Sequence, residues 1–113
     1  MTEEEHRVYT ATLIMVERYR SWMNRANIHP EQSEDGTGIN HAHYLLNIMH
    51  YNLTRGGEDF DLWKANRWLG FIQHEIILGG WTTVEEERNY SRPFFNKHTK
   101  QSLFPMNNKA ESI

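Results

Sequence analysis

Apolar residues recur at spacings of three and four over most of residues 1–95, and polar residues fill the gaps between them. That period predicts amphipathic helices, with no alternation of the kind that marks a strand. The first predicted helix opens at Thr2, an N-cap with Glu5 as its capping-box partner, and runs to about Asn27. Val8, Ala11, Met15, Tyr19, Trp22 and Ala26 share one face of it, while Glu17, Arg20 and Asn24 lie opposite, in water. The loop His29–Gly38 follows, with a Pro, two Gly, and Ser, Asp and Glu between the periodic segments. Asn40 is placed to cap a second helix from Ala42 to Leu53, buried through Ala42, Leu45, Leu46, Met49 and Leu53. The "TRGGED" run breaks that helix, and Asp59 or Asp61 caps a third that ends before Gly79-Gly80. Thr82 with Glu85 repeats the capping box and opens a short fourth helix, which Arg92-Pro93 is expected to end.

The predicted fold is all-α: a small helical bundle of three long helices plus one short helix. A hairpin of the second and third helices stands at its centre, with the first packed across it. Residues 1–95 form the single helical domain. Residues 96–113 are polar and aperiodic apart from Leu103-Phe104, and are expected to be a flexible or partner-docking tail.

The third helix departs from the ordinary pattern. At 100° per residue, Leu62, Ala65, Leu69, Ile72 and Ile76 fall in one narrow arc, the core stripe. Trp63, Arg67, Gly70 and His74 fall in a second arc nearly opposite, with Phe71 and Leu78 beside it. A helix with apolar groups on both sides is normally covered on both sides. Gly70 sharpens the point, because an interior helical Gly costs about 1 kcal/mol relative to Ala. Its missing side chain permits close approach. Arg67 offers a planar donor fork and Trp63 a stacking ring. The plainer alternative packs Trp63 and Gly70 against the second or fourth helix and pairs Arg67 with Glu85–Glu87.

Composition narrows what such a face does. Four Trp, five Tyr and five Phe in 113 residues are a heavy aromatic load, which favours self-association as a homodimer or larger closed assembly. A net charge of −3 disfavours bulk nucleic acid as a partner. There is no cysteine, which excludes disulfides and thiolate chemistry. No apolar run is long enough for a membrane span and no basic-then-apolar leader is visible, so a soluble, intracellular chain is expected.

Catalytic chemistry is hard to build from these residues. His43 and His50 share a helical face, but no HExxH and no carboxylate at ligand spacing accompany them. His41 and His43 point to different sides. Glu85–Glu87 is explained by capping and the helix dipole. "TRGGED" lacks the Lys and Ser/Thr of a phosphate loop, and no local motif joins a Ser or Thr to a His and a carboxylate. Hence no enzyme, no metal and no cofactor is expected.

The segment Lys64–Gln73, "KANRWLGFIQ", resembles one found in short, mostly uncharacterised proteins of tailed bacteriophages. Those place an HxxYLL-like helix before it and a T…EER…R helix after it. Here the flanks are "HAHYLLNIMHYNL" and "TTVEEERNYSRPFF", so the similarity covers about Asn40 to Phe95. The resemblance implies an accessory factor in the host cytoplasm that binds a host protein or sequesters a nucleotide signal. It transfers no catalytic residue. The expected binding set is Trp63, Arg67, Gly70 and His74, extended by Arg88 and Arg92. Three classes of function stand: a non-catalytic binder of a host defence protein, a nucleotide binder at a subunit interface, and a virion assembly factor.

Overall fold

A computed structural model of the chain describes residues 2–55 and 61–96. Among the described residues the regular elements are four α-helices: α1 Glu3–Arg25, α2 Ile39–Arg55, α3 Leu62–Leu78 and α4 Val84–Phe95. The predicted tail from Lys97 onward, the "GGED" break and Asp59 lie outside the described residues.

Local chemistry sets each boundary. The capping box at α1 is reciprocal, with Glu5 N–H donating to the Thr2 hydroxyl (3.0 Å) and Thr2 N–H to the Glu5 carboxylate (2.8 Å). At the other end Asn27 adopts φ +58°, and Ile28 N–H reaches back to the Met23 carbonyl. This is the six-to-one closure that a left-handed residue permits, and Asn tolerates that region. Asp61 caps α3 by accepting from Trp63 N–H (2.9 Å).

Three predicted boundaries are corrected. Asn40 does not cap α2, which already begins at Ile39. Its side-chain amide instead donates to the His29 carbonyl, tying the loop to the helix (2.8 Å). The cap of α4 is Thr83, which accepts from Glu86 N–H, one residue later than expected. Thr82 is drawn inward to a buried carboxylate. Pro93 does not end α4, which continues to Phe95. Proline here forfeits one backbone bond near a helix end, where few remain to be lost. Asn96 N–H still reaches the Arg92 carbonyl, and Phe95 packs against the core.

The core joins Met15, Val16, Tyr19 and Met23 of α1 to Ala42, Leu46, Met49 and Leu53 of α2 and Ala65, Leu69, Ile72 and Ile76 of α3. Each large side chain fully buried there is worth about 1.5–3 kcal/mol relative to exposure. The predicted α2–α3 hairpin is packed and α1 lies against both of its helices. α1 also carries α4, so the first helix touches all three others. Tyr9 donates its hydroxyl to the Leu53 carbonyl at the end of α2, and Arg20 donates to Asn47 (2.9 Å). No described helix is long and apolar enough to cross a membrane.

Candidate functional site

The rotation of α3 about its own axis is fixed by what it presents inward. Beside the core stripe, Asn66 donates to the Thr12 hydroxyl (3.3 Å) and Gln73 to the Tyr19 hydroxyl (3.0 Å), both on α1. On the other flank Phe71 meets the His41 ring of α2 edge-on, with centroids 6.1 Å apart. Phe71 is thus part of the α2–α3 packing and not of the second arc. Lys64 lies over the Trp68 ring, 5.2 Å from its centroid.

With α3 held this way, its second arc faces outward. Trp63 is 79% exposed and Leu78 69%. Arg67 and His74 are exposed between them. A Cβ placed on Gly70 would meet no atom within 4 Å. The chain therefore does not cover this face with its own second or fourth helix. Nor does Arg67 pair with Glu85–Glu87 among the described residues, because Glu87 belongs to Arg18. Trp63, Arg67, Gly70 and His74 share one exposed strip, which no other described helix covers. Arg88 and Arg92 are also exposed, one turn apart, but on α4, which docks on α1.

A cavity opens beside Trp63 between the N-terminus of α1, the end of α2 and the start of α3. Val8, Tyr9, Leu53, Leu62 and Phe95 give it an apolar lining, and Glu4, Glu5 and Asp61 line it with carboxylates. Hydrogen bonding from Thr2 holds the Glu5 carboxyl below its ordinary pKa, so it stays ionised. Such a lining opposes an anionic ligand.

The most elaborate polar site lies elsewhere and was not legible as a site. Glu87, only 3% exposed, accepts from Arg18 Nε (3.2 Å) and Nη2 (3.1 Å), from the Tyr19 hydroxyl and from the Thr82 hydroxyl (2.6 Å). The Arg18 guanidinium is stacked on Tyr90 and Trp22, 3.7 and 4.5 Å from the ring centroids. Burial works to raise the Glu87 pKa, but the bonds from Arg18, Thr82 and Tyr19 outweigh it and hold the carboxyl below its usual range. Burial, reinforced by the neighbouring carboxylate, pushes the Tyr19 phenol up. Every oxygen of Glu87 is occupied by donors, so the group serves as a clamp between α1 and α4 and has no lone pair aimed at open space.

Two of the three histidines of α2 are also structural. His43 Nδ1 lies 2.7 Å from the Ile28 carbonyl, and His41 Nδ1 accepts from Ser33 N–H (3.1 Å). Both fasten the loop before α2. Among the described residues no group of three or more His, Asp or Glu is placed to hold a metal ion.

Comparison of the chain with protein-family models, with curated proteins and with solved structures finds no match.

Proposed function

We propose that the chain acts by stoichiometric binding and not by turnover, as a tailed-bacteriophage accessory protein directed at a host protein in the host cytoplasm. The observation that carries the binding reading is Trp63, 79% exposed beside an open Gly70 on a helix whose opposite side is fully buried. Leaving so large a ring in water forgoes its burial energy, and Trp and Arg are the side chains that most often dominate binding at interfaces. The phage setting rests on the resemblance of Lys64–Gln73 and its flanks. A host protein is favoured over a nucleotide because the cavity beside Trp63 is lined by three carboxylates, Glu4, Glu5 and Asp61.

Affinity capture from bacterial lysate tests this reading. The wild-type chain should retain a discrete protein that the Trp63→Ala and Arg67→Ala variants release, each at a cost of about 2 kcal/mol or more for a hot spot. Both variants should stay folded, since both side chains are exposed. Equal capture by wild type and both variants would remove this face from the function. A rise in melting temperature with a nucleotide, and no captured protein, would establish the small-ligand reading instead.

A further inference from the structure

We propose that a second copy of this chain covers the outer face of α3, antiparallel to the first, with the two-fold axis passing beside Gly70. The inference rests on the reading of this face as an interaction surface and names what occupies it in the free protein.

The layout of the strip is the first argument. Gly70 is the middle residue of the 17-residue helix Leu62–Leu78. Trp63, Arg67, Gly70 and His74 follow spacings of four, three and four, and Leu78 continues the strip. Reversing the helix about a point next to Gly70 sets Trp63 against the second copy's Leu78 and Arg67 against the second copy's His74. The two most exposed apolar side chains of α3 then cover each other at both ends. The Arg67 guanidinium then has an imidazole nitrogen within reach as an acceptor. At the crossing point a Cβ on Gly70 would meet nothing among the described residues, which leaves space for a neighbouring backbone.

Charge decides the direction. On the flank of the strip, Lys64 lies in the first half of α3 and Glu75 in the second. In antiparallel helix pairs, flanks of the same side face each other, so Lys64 of each copy meets Glu75 of the other. In a parallel pair each flank faces the opposite flank of the other copy, so the Lys64–Glu75 contact is lost. The pairing is isologous, as a closed two-fold dimer requires.

The cysteine-free chain permits a direct test by single-cysteine variants under mild oxidation at micromolar concentration. The Gly70→Cys variant should form a disulfide dimer, because the axis brings the two positions within the roughly 4.4–6.8 Å Cα separation that a disulfide spans. The Trp63→Cys and Leu78→Cys variants should each form no disulfide alone, because each position is offset from its own copy by about 22 Å along the helix at 1.5 Å per residue. Mixed together, those two should cross-link. A charge-reversal series reads the same contact without oxidation. Lys64→Glu should raise the dimer dissociation constant roughly five- to tenfold in sedimentation. Adding Glu75→Lys in the same chain should restore it.

A folded Gly70→Cys variant that stays monomeric, with no rescue by the charge swap, overturns the second copy. Cross-linking of Trp63→Cys with itself would overturn the antiparallel direction. The two readings also fail separately. If the Gly70→Cys dimer captures the host protein as well as the monomer does, the dimer stands and the partner surface lies elsewhere. If no dimer forms and capture still needs Trp63, the reverse holds.

Discussion

Removing the Glu87 side chain tests the account of how α4 is held. Glu87→Ala deletes the acceptor for the Arg18 fork, the Tyr19 hydroxyl and the Thr82 hydroxyl. Breaking a buried ion pair from one side costs about 3–5 kcal/mol. Several partners soften the loss here. The Arg18 side chain is 20% exposed and keeps its stacking on Trp22 and Tyr90. Tyr19 retains Gln73, and Thr82 retains Glu86. The lower end, about 3 kcal/mol, is the expected loss. In a domain of this size that shift lowers the melting temperature by more than about 10 °C. Urea unfolding followed by circular dichroism measures it. Replacing both charges, Arg18→Met with Glu87→Leu, should recover most of the loss, because apolar isosteres of a buried pair are often neutral. Hydrogen exchange should show the α4 amides of Glu87→Ala losing protection first, since a 12-residue helix cannot stand alone. A Glu87→Ala loss below about 0.5 kcal/mol would refute the clamp, since that is the range of an ordinary surface substitution. So would a double variant that falls by the sum of the singles.

Three further outcomes are expected. Because the Glu87 pKa is depressed in the fold, its contribution is complete above the unfolded value of about 4.3 and is lost as pH falls through the folded value, so Glu87→Gln should flatten the acid limb of the stability profile. Tyr19→Phe removes a buried hydroxyl that both donates to Glu87 and accepts from Gln73, and urea unfolding should register a loss of about 1–2 kcal/mol. Gly70→Ala should raise the stability of the monomer by up to about 1 kcal/mol, because the new Cβ meets nothing, while weakening self-association in sedimentation.

The legibility of the chain divides along one line. The core stripe of α3 was readable because Ala65, Leu69, Ile72 and Ile76 obey a local period, and the same holds for Met15 and Tyr19 on α1. The outer strip was readable as a breach of that period, but that no other described helix packs on it follows only from the fold. Glu87 was not readable. It ends a run of three glutamates whose presence at a helix start is sufficiently explained by capping, and its partner Arg18 lies 69 residues away. Nothing local marks which glutamate turns inward. The displaced cap at Thr83 follows from the same hidden contact, since Thr82 is occupied by Glu87. Pro93 misled because the rule against proline concerns helix interiors, and packing of Phe95 outweighs one lost bond near an end.

That α1 touches every other helix has a consequence for the order in which the fold is completed. α1 is made first, and the α4 residues that seat on Arg18 and Tyr19 are made last among the helices. Closing a contact across 69 residues carries a loop-entropy cost that local helix formation does not. The α2–α3 pair assembles from neighbours in sequence, whereas the strip of α1 that receives α4 stays open until Thr82 and Glu87 emerge. A chain interrupted before Thr82 leaves Tyr19 without its carboxylate partner and Arg18 without its ion pair. Proteases that sample open segments should distinguish that fragment from the four-helix fold at α1, which precedes the other three helices and whose α4-facing side is enclosed after them.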